Sequence, residues 1–299
     1  MSETRQTIGI NQRGRLVNLS LLKDQILRNV VSARCGVIVA MSVALGFVQY
    51  WTTYHSGMVL PPSAPTFLHD TMLFSRDGTG SGLYLFLLPF LAALLGGSVV
   101  AAERHSGRMK ELLAREGRSR VLGTSLVSGF VLGGIGGLLP LLLNIIVAAA
   151  LNPHLSFIDG DIVGADGEVP NQYVLIDSSS WAYPLYKFNQ PLLILVVVLM
   201  VFVISGLFAD VAVASSFFTG RKYVEILIPF VISTLWWMLP TLTNLIVPDQ
   251  WSHIIFLSVA GGASPELVSR NYVGMALSVV LPTVACLVMF LIERRRDAI

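Results

Sequence analysis

Six stretches, Cys35–Tyr54, Leu83–Ala102, Val121–Leu151, Pro191–Ala209, Ile226–Val247 and Val273–Ile292, are apolar and contain no Asp, Glu, Lys or Arg. About 20 such residues let an α-helix cross ~30 Å of hydrocarbon, where the backbone must satisfy its own hydrogen bonds. The chain is therefore expected to be an all-α membrane protein with six transmembrane helices. Composition agrees: 54% of the 299 residues are hydrophobic and 13% charged, against about a quarter charged in soluble domains. A water-soluble globular fold is excluded. A net charge of +2 leaves no basic footprint, so no nucleic-acid partner is expected.

The basic residues orient the spans. Arg5, Arg13, Arg15, Lys23, Arg28 and Arg34 precede the first, and Arg104, Arg108, Lys110, Arg115, Arg118 and Arg120 lie between the second and third. Arg221 and Lys222 separate the fourth and fifth, and Arg294, Arg295 and Arg296 follow the sixth. That puts 17 of the 20 basic residues on one face and leaves Arg76, Lys187 and Arg270 for the other. The positive-inside rule then places both termini in the cytoplasm. The organisation expected is a cytoplasmic segment 1–34, a six-span domain 35–292 with an external loop 152–190 and a cytoplasmic loop 103–120, and a cytoplasmic tail 293–299. Residues 1–34 are polar and basic, unlike a signal peptide, so the first span is expected to be retained.

Before that span, Leu16, Leu19, Leu22, Ile26 and Val30 share one helical stripe, with Asp24, Gln25 and Arg28 opposite. The spacing predicts an amphipathic helix lying on membrane lipids at the cytoplasmic interface, Lys23 and Arg28 snorkelling to headgroups. A plain extension of the first span into the cytosol is the other possibility. The third span carries Gly129, Gly133, Gly134, Gly136 and Gly137 ahead of Pro140. Gly129, Gly133 and Gly137 form small-xxx-small steps that let helices approach closely in lipid. Ile254–Ala260 is apolar but too short to span, and is expected to be a re-entrant or interfacial piece.

Chemical signatures are sparse. The chain has no G-x-x-x-x-G-K-[ST] phosphate loop and no H-E-x-x-H. All five histidines fall in loops, no span has an ionisable residue near its midpoint, and Cys35 and Cys286 sit in apolar runs. No enzymatic activity, metal or cofactor of its own is expected, and a proton-driven carrier loses ground because such relays use intramembrane charges. Asp159, Asp161 and Gly164 imitate calcium-loop positions, but Val163 and Pro170 stand where further ligands belong. The segment is expected to be an exposed acidic hairpin followed by a strand at Tyr173–Ile176.

The loop after the second span is the most patterned. Met109, Leu112 and Leu113 line one edge of a short helix among Arg108, Lys110, Glu111 and Arg115. An apolar edge in the cytosol needs a partner, and its placement points to a protein.

The run Glu103-Arg104-x-Ser106-Gly107, then Leu112-Leu113, then Ser119-Arg120 leading into a glycine-rich span, resembles the E-R-x-S-G…L-L…P-x-S-R stretch of ABC type-two transporter permeases. The six spans, N-terminal interfacial helix and apolar insertion before the last span also look like that superfamily. The chain departs from its pattern at Lys110, at Glu116-Gly117 and at Thr124. The resemblance implies a permease subunit of an ATP-driven exporter in a prokaryotic plasma or inner membrane, paired with a second copy or a homologous permease. Its partner would be a cytoplasmic ABC ATPase that holds ATP and Mg. The resemblance further implies that Gly107–Gly117 is a coupling helix docking on that ATPase, with Glu103, Gly107, Met109, Lys110, Leu112, Leu113 and Arg120 as coupling residues. Phe217–Tyr223, with Arg221, would be a smaller contact. Glu103 would pair with a neighbouring arginine or sit solvated at the helix end. Dimerisation through the first and fifth spans is implied, the third being the rival surface. Phe86, Phe90, Trp236, Trp237 and Met238 are candidates to line a cavity for an apolar or amphipathic substrate such as a lipid, peptide or drug, or are packing residues. A carrier or channel not driven by ATP would need a polar stripe. A membrane anchor or scaffold using the external loop is the further alternative.

Overall fold

The computed structural model describes residues 17–55, 67–75, 78–151, 160–162, 171–173, 176, 180–219, 223–242, 254–259 and 272–295. They are helical apart from turns and one hairpin. In chain order the helices are α1 (Leu19–Val30), α2 (Ala33–Tyr54), α3 (Gly80–Ala92), α4 (Val99–His105), α5 (Arg108–Glu116), α6 (Arg118–Leu151), α7 (Tyr183–Phe188), α8 (Gln190–Ser216), α9 (Val224–Leu242) and α10 (Tyr272–Arg295). Strands β1 (Gly160–Ile162) and β2 (Asn171–Tyr173) pair antiparallel, Asp161 opposite Gln172. The hairpin thus pairs earlier residues than the strand expected at Tyr173–Ile176, whose Val174 and Leu175 lie outside the described residues.

Five helical stretches are long and apolar enough to cross a membrane: Ala33–Tyr54, Gly80–Arg104, Arg118–Leu151, Gln190–Ser216 and Tyr272–Arg295. They correspond to the expected first, second, third, fourth and sixth spans and define a multi-pass membrane protein. The expected fifth, Ile226–Val247, is present as α9, with an apolar stretch Val224–Met238; residues 243–247 lie outside the described residues. The fourth helix does not stop at Ala209 but continues through Asp210 to Ser216. The second span is interrupted by a π-helical turn, Ala93–Gly97, three residues after Phe90. Such turns realign a helix at the cost of its regular bonding and recur at functional sites.

The third and fourth spans make the most extensive helix contact of the fold. Glycine makes this possible: a Cβ on Gly133 would run into the Ala209 Cβ, one on Gly137 into the Ser205 Oγ, and one on Gly129 would stand 2.7 Å from Val213 Cγ2. The expected close packing of Gly129, Gly133 and Gly137 is therefore satisfied inside the chain. α2 and α10 are the least covered spans, with 22% and 17% of their apolar windows buried.

Polar side chains in the spans tie one end of the bundle together. Gln49 is fully buried, accepting from Ser81 N at 3.1 Å and donating to Thr53 Oγ1 at 3.2 Å. Asn144 Oδ1 accepts from Met72 N at 2.6 Å, and its amide donates to the Asp70 carbonyl at 3.4 Å. Together they hold the buried turn that contains Leu68, Met72, Leu73 and Phe74. Ile254–Val259 lies beside it as a buried turn with a 3-10 helix at Ile255–Leu257. Val259 N donates to the Leu73 carbonyl at 2.7 Å, and Trp181 Nε1 donates to the Phe256 carbonyl at 2.8 Å.

α1 docks on the third span. Its polar residues Gln25 and Asn29 are buried together with Leu21, whereas Leu19, Leu27 and Val30 are exposed; Leu22 and Ile26 are half-buried, and Leu16 lies outside the described residues. Gln25 explains this, donating to Ser125 Oγ at 3.2 Å and accepting from Ser128 Oγ at 2.7 Å, both on the third span. In a protein whose surroundings are hydrocarbon, polar groups find partners inside the bundle and apolar ones face out.

Candidate functional site

The richest concentration of polar chemistry is at the end of the bundle that carries α1, α4 and α5. Gly107 and Gly117 bracket α5 with φ of +75° and +80°, left-handed angles that glycine adopts without a Cβ penalty. They turn the chain sharply out of α4 into α5 and out of α5 into α6. The nine-residue helix between them is thus set apart from both neighbours.

Behind α5 runs a chain of charges. Arg28 and Asp24 pair at 3.1 Å along α1, Asp24 reaches Arg108 at 3.1 Å, and Arg108 Nη1 stands 3.8 Å from Glu103 Oε2. Glu103 is 5% exposed. Of its two possible states, paired or solvated, the structure shows the paired one. The Arg108–Glu103 approach is an ion pair without a hydrogen bond, both facing atoms being buried and otherwise unsatisfied. Nearby, Arg104 donates to the Thr219 carbonyl at 2.6 Å, Arg120 pairs with Glu116 at 3.3 Å, and Arg118 pairs with the buried Glu293 of α10. One layer of ionic contacts therefore connects α1, α4, α5, α6, the end of α8 and α10.

The apolar edge of α5 is partly used within the chain. Met109, half-buried, packs against the cluster of Val100, Leu122, Val211, Val213, Phe217 and Cys286, so this part of the expected edge has a partner within the chain. Leu112 and Leu113 are half-buried, while Lys110, Glu111, Ala114 and Arg115 are exposed. The outward face of the helix is polar and of mixed charge. Phe217 is buried and Tyr223 exposed; Arg221 lies outside the described residues.

Of the five expected cavity residues, three come together. Phe86 meets Phe230 edge to face at 5.1 Å and Trp237 at 6.0 Å, and Phe90 meets Phe230 at 6.2 Å. The cavity beside them, lined by Phe86, Ser233, Thr234 and Trp237, holds about 40 Å³, far below the roughly 300–1,000 Å³ of small-molecule sites. These rings pack α3 against α9. Met238 and one face of Trp237 are exposed, and Trp236 is half-buried. A larger groove, about 300 Å³, runs between α2 and α6, lined by Ser42, Phe47, Tyr50, Asp70, Asn144 and Val147.

Phe230 and Asp210 escaped the sequence reading, and Asp24 and Gln25 were read only as the polar side of the N-terminal helix. The spacing of Asp24 and Arg28 was visible as an i, i+4 pair, but the approach of Asp24 to Arg108 is long-range. No protein family, curated protein or solved structure matches the chain.

Proposed function

We propose that this chain is the permease subunit of an ATP-driven ABC exporter, with six spans, both termini cytoplasmic, and α5 as the helix on which a separate ATPase acts. The observation that carries this reading is α5 itself: a nine-residue helix isolated by two left-handed glycines, polar on its exposed side and backed by a continuous ionic network. A chain without a phosphate loop must receive energy through a contact, and this helix is built to transmit one. The basic asymmetry of 17 to 3 puts that contact in the cytoplasm.

A channel or unpowered carrier is less well supported, because Gln49 and Asn144 serve as structural ties. A second permease copy would cover α2 and α9, which expose Phe47, Trp51, Leu235 and Trp237; the glycine-rich third span is already occupied. The substrate class, apolar or amphipathic, rests on the same aromatic faces, and the membrane is the prokaryotic plasma or inner membrane.

Docking through the exposed face of α5 predicts the effect of Lys110→Glu combined with Arg115→Glu. These side chains touch nothing essential to the bundle, and exposed substitutions change stability by less than about 0.5 kcal/mol. The double variant should accumulate normally, lose co-purification with a co-expressed partner ATPase, and lose substrate-stimulated ATP hydrolysis. Full association and full stimulation in the variant would refute the role of α5.

A further inference from the structure

One carboxyl group inside the bundle takes part in none of these contacts. Asp210 lies in α8, six residues before its end at Ser216, about 9 Å along the axis at 1.5 Å per residue. The residue is half-buried, and its Oδ1 is buried with no hydrogen-bond partner. A Cβ on Gly129 of the third span would lie 3.5 Å from that oxygen.

The other charged groups near that end of the elements packed on α8 are engaged elsewhere. On the second span, Arg104 bonds the Thr219 carbonyl and Glu103 faces Arg108. On the third, Arg118 pairs with Glu293 of α10 and Arg120 with Glu116. On α9, Glu225 accepts from Tyr223 N at 3.3 Å. Arg294 and Arg295 end α10, more than two turns beyond Cys286. Among the described residues, no ion pair reaches Asp210.

The position of this carboxyl gives it leverage. It sits at the crossing of the second, third and fourth spans, where Ala209 and Ala212 on either side of it press on Gly133, Gly96 and Gly97. The second span makes its π-helical turn over Ala93–Gly97 at the same crossing. A carboxylate without a counter-ion in apolar surroundings draws in water or cations, whereas a neutral carboxyl makes no such demand. A crossing without slack cannot admit water and keep its packing.

We propose that Asp210 is a proton-binding site built into this crossing, so that gain or loss of one proton changes how the second, third and fourth spans pack. The site goes beyond the ATP-driven reading and would operate equally in a chain powered otherwise. Its test therefore uses the permease alone.

Hydrogen exchange is measured on the full chain in lipid nanodiscs from about pH 5 to about pH 9, corrected for the intrinsic exchange rate. In the wild type, protection over 93–97 and 129–137 should change several-fold across this range. In Asp210→Asn, which keeps the shape of the side chain, it should not change. A wild type without a pH response, or an Asn variant that keeps it in full, would overturn the proposal. Should the variant fail to fold, labelling of the wild type by an apolar carbodiimide supplies the second measurement. The adduct on Asp210, relative to that on the exposed Glu111, should vary in yield with pH; absence of any adduct, or a constant ratio, would equally overturn it.

Discussion

Gly133→Leu should abolish accumulation of folded protein. A side chain at this position meets the Ala209 methyl directly and the carbonyl oxygens of Ser205 and Ala92 at 3.2 and 3.3 Å. Two of these three obstacles are backbone, which no rotamer change can move aside. Overpacking against side chains costs about 1–3 kcal/mol, and here the third span must be pushed bodily from both the second and the fourth. Several kcal/mol is a large share of the 5–15 kcal/mol that holds a typical protein folded. Gly36→Leu is the matched control, since a Cβ on Gly36 meets nothing within 4 Å. Monodisperse yield in detergent should fall to near zero for the first variant and stay near wild type for the second. Equal yields would mean that the glycine-lined crossing is not the structural centre of the bundle.

The second large effect is at the ionic layer. Arg118 opens the third span and Glu293 lies near the end of the last, 4% exposed. The two spans otherwise touch little, so this pair fastens the end of α10. Arg118→Ala removes this ion pair from a buried carboxylate, a change that costs about 3–5 kcal/mol in fully buried pairs and less here, because the arginine side chain is one-third exposed. Adding Glu293→Leu should recover most of the loss, as replacing both partners of a buried pair by apolar groups is often close to neutral. Thermal unfolding of the two single variants and the double variant gives the coupling directly. Additive losses would show that the contact contributes no stability.

These effects also show what sequence alone makes legible. Hydrophobic length located the membrane-crossing helices because a bilayer imposes one dimension on all of them. Helix ends were less visible: α8 runs on past Ala209 because Asp210 is tolerated where it packs against Gly129, a tertiary fact with no local signal. The docking of α1 was invisible for a related reason: amphipathicity says which residues share a side, but not that Ser125 and Ser128 of the third span would take up Gln25. At the candidate site, the pattern of α5 and its bounding glycines could be read from spacing, while the burial of Met109 and the reach of Asp24 to Arg108 depended on neighbours distant in the chain. The aromatic residues could be listed from sequence, but their meeting across α3 and α9 runs through Phe230, which no local signal singles out.

Sidedness is the measurement on which the account depends most directly, since a docking helix must share a compartment with the ATPase that drives it. Single cysteines at Asp166 and at the exposed Lys110, with Cys35 and Cys286 replaced by serine, are labelled in intact cells with an impermeant thiol reagent. Asp166→Cys should react in intact cells and Lys110→Cys only after the membrane is opened. Labelling of both without lysis, or the reverse pattern, would contradict the account.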